Sequence, residues 1–281
     1  MHKRSKTGKK EEENLIHVCS CVRIIRRFIP RIGTRKLHSL LKEHFQHDGI
    51  CPGRDKLFSI LREARLLVKR RKRHFFTTDS KHNFYKYSNK AADLQLTRPE
   101  QLWVSDITYL RTHKGNLYLS LVTDAWSKKI MGFHVADHLK ASGPIEALKM
   151  ALSGRRYPNK KLMHHSDKGI QYCCDAYVKV LIENGIDISM TSKYDPYENA
   201  VAERINGTIK NEFELDEILP DIQFAKREIR KTVKVYNQLR PHLSCQMRTP
   251  EQMHASLNPC PIKLKTPNLW KAILIDNFNV N

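Results

Sequence analysis

An α/β fold is expected, a mixed five-stranded sheet with helices preceded by a small all-helical unit, and three features of the sequence lead to it. From Leu102 onward, three apolar runs rich in β-branched and aromatic residues (LWVSDITYL, NLYLSLVTDAW and KKIMGFHVA) follow one another with short polar breaks. After them, helical and strand-like patterns alternate, the order expected of parallel crossovers. Before them, two short amphipathic segments flank a tight turn.

Composition narrows the partners. The chain has 281 residues, enough for two or three small domains. Lys and Arg number 50 against 29 acids, a formal charge of +21. Such a surplus favours a polyanion, nucleic acid first among them. An anionic membrane surface is the competing partner. No uninterrupted apolar run approaches the roughly 18 residues of a spanning helix, so no membrane association is expected. The N-terminal MHKRSKTGKKEEE is charged, with no apolar stretch behind it, and does not read as a secretory leader. A cytoplasmic location is the expectation. The seven cysteines contain no C-x-x-C pair and read as reduced thiols rather than zinc ligands.

In chain order, residues 1–13 are polar and expected to fray. Leu15, Val18, Cys19, Val22 and Ile25 then recur at helical spacing until Pro30. In the next helix Thr34 is a candidate cap, Leu37, Leu40, Leu41 and Phe45 form one stripe, and Gly49 ends it. A turn at Cys51–Gly53 leads to a helix with Leu57, Ile60, Leu61 and Ala64 inward and Arg54, Lys56, Arg62 and Arg65 outward. The pair reads as a helix-turn-helix with Arg54 and Lys56 toward DNA; a plain packing hairpin is the alternative. Lys69, Arg70, Arg71, Lys72, Arg73 and His74 follow, a run that contacts phosphate or stays solvated. Residues 1–76 thus form a helical, DNA-binding region and 77–97 a linker. In the linker region, Phe84, Tyr85 and Tyr87 pack on a neighbour or stack on a base.

Residues 98–218 hold the α/β unit. Turns at His113–Gly115 and Ser127–Lys128 separate its three meandering strands. SGPIEALKMALSG is a helix, KLMHHSD a short buried strand, CDAYVKVLIENG a helix ended by Gly185, and IDISMT a strand. A final helix, in ENAVAERINGTIKNE, places Glu203, Asn206 and Lys210 on one polar face at i, i+3 and i+7, where carboxylate, amide and ammonium could hold a metal and a DNA phosphate together, with Asn206 and Lys210 toward DNA. This order matches the ribonuclease H-like topology. A basic helix around 220–238 and a Pro-containing tail make up 219–281.

Three acids stand out. Asp106 lies inside an apolar strand, where a charge is costly unless something such as a metal ion offsets it. Asp167 ends the fourth strand, where parallel strands open onto a site, and Gly169 lets the chain turn. Glu203 arrives on the last helix, 35 residues beyond Asp167. In this topology the first and fourth strands are neighbours. The three carboxylates could then hold two divalent cations, a pair that clamps both oxygens of an in-line displacement at phosphorus. Asp124, Asp137 and Asp195 read as turn residues. Of His164 and His165, one is expected to pack and the other to make a supporting polar contact.

WVSDITYL, HHSDKGIQY and ENAVAERINGTIKNE together resemble the three signature blocks of the DDE transposase and integrase superfamily. The fuller resemblance is to the second-frame transposases of bacterial insertion sequences. It includes the basic helix-turn-helix, YNQLRPH (Tyr236 to His242) and TPEQMH (Thr249 to His254), and spans roughly residues 30–257. Glu198 stands where an Asp is usual. The resemblance implies that Asp106, Asp167 and Glu203 are a catalytic, metal-binding triad and that Lys210 contacts the element's terminal DNA. It implies magnesium, or manganese in its place, with DNA cleavage by water and strand transfer by a 3′-hydroxyl. The implied partners are duplex DNA at element ends and target, further copies of the chain on DNA, and a first-frame helix-turn-helix protein, separate or fused. Three other readings stay open. A nuclease of the same fold would cut without joining. A non-catalytic DNA-binding relic would be free to lose an acid. An RNA-associated basic protein would explain the charge but not the three acids.

Overall fold

The computed structural model describes residues 2–50, 52–69, 82–192 and 199–256. Arg70, Arg71, Lys72, Arg73, His74, Asp195, Glu198 and the tail from 257 lie outside them. The elements run α1 (His2–Arg26), α2 (Thr34–His47), α3 (Arg54–Glu63), β1 (Leu102–Thr112), β2 (Gly115–Asp124), β3 (Ile130–Ala136), α4 (Ser142–Ser153), β4 (Met163–Ser166), α5 (Ile170–Cys173), α6 (Asp175–Glu183), β5 (Asp187–Met190), α7 (Ala200–Glu212), α8 (Ile222–Leu239) and α9 (Pro250–Ala255).

The five strands form one sheet in the order β3-β2-β1-β4-β5. β1, β2 and β3 are antiparallel neighbours, while β4 runs parallel to both β1 and β5. One face carries Trp103 and Val122, packed with Ala147 and Leu148 of α4 and Tyr177 and Leu181 of α6. The other carries Leu110, Leu119 and Leu121, packed with Ile205 and Ile209 of α7 and Ile229 and Val233 of α8. This is the mixed α/β architecture expected from the sequence, with helices on both faces. α4 lies so close to β3 that a Cβ on Gly132 would sit 2.0 Å from the Ala147 carbonyl oxygen.

The helical stripes of the N-terminal region formed where their spacing placed them: Leu37, Leu40, Leu41 and Phe45 of α2 and Leu57, Ile60 and Leu61 of α3 are buried. Gly49 ends α2 with φ of 68°. Three local expectations failed. α1 begins at His2 rather than after a frayed start. Leu15, expected in the inward stripe of α1, is 37% exposed. Thr34 does not cap α2: Gly33 holds the N-cap position and Thr34 is buried in the first turn.

Two stretches read as peripheral are docked. Of the expected linker, Lys90 and Ala91 donate their amides to Ser189 Oγ at 2.9 and 3.2 Å, and the Met190 amide donates to the Ser88 carbonyl. The segment therefore runs along β5 and covers a sheet edge that would otherwise expose unpaired backbone groups. Tyr87 packs under it while Tyr85 is 74% exposed. α8, assigned by sequence to the C-terminal extension, buries Ala225, Ile229, Val233 and Tyr236 in the same cluster as the sheet. Glu212, the last residue of α7, gathers these layers: it accepts from Lys36 Nζ at 2.6 Å and from the Arg240 guanidinium at 2.7 and 2.8 Å.

At the end of β2, Asp124 is fully buried and accepts from the Ser127 amide and hydroxyl at 2.7 and 2.6 Å and from the Glu100 amide at 2.6 Å. It is a turn residue, as expected. Beside it, burial alone would raise the Glu100 carboxyl. Hydrogen bonds from His254, from the Arg156 and Tyr157 amides and from Arg155 overcome that and hold it at about 2. A depressed folded pKa means stability that is present above the ordinary value of 4.5 and lost as pH falls through about 2. The contribution is of order 3 kcal/mol. The same carboxylate, with Asp124, outweighs burial to raise His254, whose share has the opposite sign: present below 6.5 and lost as pH rises through its folded pKa. Glu100→Gln is therefore expected to lower the urea midpoint at pH 6 and to flatten the loss of stability between pH 4.5 and 2. A parent and variant with parallel acid-unfolding curves would remove Glu100 from this role.

Candidate active site

β1 and β4 bring the first two acids together. Val104 of β1 pairs with His165 of β4 in parallel register, so two residues further on Asp106 stands beside Asp167, just past the end of β4. α7 supplies the third. Ala202 packs with Val104, Asn206 meets Asp106 and Lys210 meets Thr108. Four residues of helix advance about 6 Å and two residues of strand about 6.6 Å, so α7 can follow one face of β1 in step. This matched rise is why Glu203, Asn206 and Lys210 arrive over the acids rather than elsewhere on the sheet.

Each carboxylate is held differently. Asp106 is half-buried; its Oδ2 accepts from Asn206 Nδ2 at 2.7 Å and its Oδ1 from the Ile107 amide at 2.9 Å. Burial first, and then the charge of Asp167, push its carboxyl up to about 7, with Glu203 adding a smaller push. Asp167 accepts the Gly169 amide at 3.0 Å, so the glycine that lets the chain turn also fixes the acid. Glu203 is exposed at the rim, and partial burial raises its carboxyl. The oxygens of the three acids do not all lie within 4.8 Å of one another.

The neighbouring histidines serve the scaffold. His164 Nε2 lies 2.7 Å from Ser105 Oγ and 2.9 Å from Tyr177 Oη; burial pushes it down to about 3, so it is neutral. His165 Nδ1 lies 2.9 Å from Ser189 Oγ. Both make polar contacts, where only one was expected to: a buried strand flanked by serines on both sides gives one nitrogen of each ring a partner.

The remaining residues singled out by sequence divide by exposure. Asn206 was expected to face DNA; it is 5% exposed and engaged by Asp106. Lys210 is half-buried, with its Nζ 3.4 Å from Thr108 Oγ1. Burial lowers its pKa, and among the described residues no carboxylate lies within 4.0 Å of it. Arg54 and Lys56 are exposed on α3, Arg54 donating to Asp55 of its own helix at 2.8 Å. Lys69 is exposed. Asn199 and Thr108 went unnoticed. Asn199 is buried and donates to the Ser105 carbonyl at 3.0 Å, tying the start of α7 to β1 one residue before Asp106. Thr108 sits two residues after Asp106, on the same face, and that alternation was the available signal.

Two adjacent acids with a third at the rim, Asp106 pushed toward its protonated form by burial and then by Asp167, form a donor set that suits a hard divalent cation. The side chain that donates to Asp106, Asn206, is a neutral amide and brings no positive charge to it.

Two models of the integrase core domain match the chain, one over residues 97–196 and one over 184–250. Asp106 and Asp167 fall in the first and Glu203 in the second. A 31 kDa protein of insertion element IS600 from Shigella sonnei, itself uncharacterized, is 35% identical over 217 residues, covering 75% of this chain and 76% of that protein. The chain belongs to the insertion-sequence transposases with an integrase core domain. Transposase InsF of insertion sequence IS3A from Escherichia coli is 35% identical over 166 residues, 57% of this chain and 56% of InsF. The match therefore spans little more than half the length of that relative. A magnesium complex of the HTLV-2 integrase catalytic core overlaps with a TM-score of 0.44 at 23% identity, over 56% of this chain and 97% of that one, a likeness too loose to build on. The Asp106–Asp167 pair, unlike the fully buried Asp124, stands at the open end of a parallel strand.

Proposed function

We propose that the chain cleaves DNA at the ends of an insertion sequence and joins the freed 3′-hydroxyl to a target duplex, with Asp106, Asp167 and Glu203 as its metal-holding triad. The observation that carries this reading is the placement of Asp106 beside Asp167 on neighbouring parallel strands, with Glu203 on a helix that follows the same face. Magnesium, or manganese in its place, bound as a pair by these acids would activate the attacking oxygen and neutralise charge on the leaving one. Asn206 and the Ile107 amide hold both oxygens of Asp106 in one orientation, and the Gly169 amide holds Asp167. Asn206 is thus a positioning residue in this reading rather than a DNA contact. The exposed faces of α3 and the basic run Lys69, Arg70, Arg71, Lys72 and Arg73 would bind duplex DNA, the run through phosphates and Arg54 and Lys56 with some sequence preference. Assembly of several copies on DNA, with or without a first-frame helix-turn-helix protein, belongs to the same proposal.

A pre-cut element end bearing a 3′-hydroxyl, incubated with supercoiled plasmid and magnesium, tests it. Joined products are expected. Nicking without joining would favour the nuclease reading.

Lys210 makes a finer test. A half-buried ammonium that Asp216 and Asp106 act on only from beyond salt-bridge distance is placed to receive a phosphate next to the scissile bond. It lies seven residues beyond Glu203, about 10 Å along the helix, so it stands outside any metal shell. Lys210→Ala is expected to lower cleavage at the correct end at least tenfold while shifting the magnesium midpoint by less than twofold. Lys210→Arg should recover part of the loss, since the charge survives and the geometry changes. Parent-like cleavage by Lys210→Ala would leave it an ordinary helix lysine.

A further inference from the structure

We propose a metal site in the N-terminal helices, in which His17 and Cys21 of α1 and His44 and Asp48 at the end of α2 hold a zinc ion. The ligand atoms of His17, Cys21 and His44 all lie within 4.8 Å of one another, and no other three His, Cys, Asp or Glu among the described residues come as close. Asp48 does not lie within 4.8 Å of all three but reaches both rings, its Oδ2 2.9 Å from His17 Nε2 and 3.3 Å from His44 Nε2, and would swing toward Cys21 to take the fourth position. Cys21 Sγ is 3.7 Å from His17 Nε2. Bonds of 2.0 to 2.3 Å around a tetrahedral zinc separate its donors by about 3.3 to 3.7 Å, so these distances approximate three of the six edges of such a polyhedron.

The sequence supplies the donors in two pairs, each four residues apart, so that each pair shares a helix face and the pairs meet where α1 crosses the end of α2. Two nitrogens, a sulfur and an oxygen suit zinc better than magnesium or calcium. Cys21 is fully buried, whereas the side chains of His17, His44 and Asp48 retain 27%, 18% and 25% exposure, which leaves a route in from solvent. Without a metal the cluster is a histidine–carboxylate hydrogen bond over a thiol. That reading leaves two imidazoles stacked 5.6 Å apart on one carboxylate oxygen, where charging both sets like charges against each other. A zinc ion takes both rings neutral and uses the thiol as well. It would pin α1 to α2 and so fix the turn that presents α3. Sequence reading passed over the site because it sought paired cysteines; here one cysteine serves, and its partners come from another helix.

The test uses the full chain, stripped of metal and titrated with cobalt(II) and, separately, zinc(II). One equivalent of tightly bound metal is expected, with the intense near-ultraviolet band of cobalt–thiolate charge transfer and the visible bands of tetrahedral cobalt. Cys21→Ser should abolish the charge-transfer band and weaken zinc binding at least tenfold, while Cys19→Ser, two residues before it and on the opposite side of the helix, keeps both. If Cys21→Ser does not fold, as judged by circular dichroism, His44→Gln gives the same reading through the visible bands. A parent chain that binds cobalt without a thiolate band, fails to bind it, or keeps the band in Cys21→Ser overturns the site.

Discussion

Asp106→Asn, Asp167→Asn and Glu203→Gln are each expected to lower cleavage and strand transfer roughly 10³- to 10⁴-fold, as removal of one member of a catalytic unit does. Binding to element-end DNA should change little, because each substitution removes a ligand oxygen's charge and almost no packing. The Asp106 variant carries an additional signature. Burial and the neighbouring Asp167 push its carboxyl up to about 7, so in the metal-free protein its ionised form is disfavoured. An acid whose folded pKa is raised contributes stability at low pH that is lost as pH climbs from its ordinary value through about 7. At pH 8 a neutral isostere escapes that loss. Asp106→Asn should therefore melt at or above the parent temperature at pH 8 without metal, while being inactive with it. Thermal melts and a strand-transfer assay on the same preparations check both halves. An active Asp106→Asn, or one that is inactive because it is unfolded, would undo the assignment.

The largest expected effect on folding lies at Gly132 in β3. A methyl group there would meet the Ala147 carbonyl oxygen at 2.0 Å and the Ala151 amide nitrogen at 2.8 Å, both backbone atoms of α4. Neither can swing aside as a long side chain could. Relief would require α4 to lift from the sheet, uncovering Ala147, Leu148 and Ala151, which are fully buried. Overpacking a core costs about 1–3 kcal/mol when side chains can adjust; against rigid backbone, Gly132→Ala should cost more than ~3 kcal/mol. Expression largely as insoluble protein, or a urea midpoint far below the parent's, is the expected outcome. Gly53→Ala, where a Cβ meets nothing within 4 Å, is the matched control and should fold like the parent. A Gly132→Ala protein as stable as that control would mean the helix does not sit where it is described.

What the sequence made legible follows physical range. The stripe of α2 was readable residue by residue, because a repeat of three and four along one helix is written within a dozen residues. Asp106 and Asp167 were readable as a pair because strand polarity and a parallel crossover bring the first and fourth strands together. Asp124 was set aside as a turn residue, and its bonds to Ser127 bear that out. The losses are all matters of partnership between distant segments. Asn206 looked like a free amide on a polar face; only the step-for-step run of α7 along β1 sets it against Asp106, 100 residues away in sequence. The stretch before Leu102 looked like a linker because its pairing to β5 runs through the serine hydroxyl and backbone of a strand a hundred residues later. Gly132 carried no signal at all, since the closeness of α4 is invisible in a strand read by itself. His17 and His44 were likewise ordinary helix residues until the crossing of α1 and α2 placed their rings together.

The central claim is that Asp106, Asp167 and Glu203 act as one metal-holding unit. Crystals of the chain soaked in manganese and measured near the manganese absorption edge test it most directly. Anomalous density bridging the Asp106 and Asp167 carboxylates, within reach of Glu203 and lost in Asp167→Asn, is the expected result. Manganese ordered elsewhere on the protein, with none between those two acids, would contradict it.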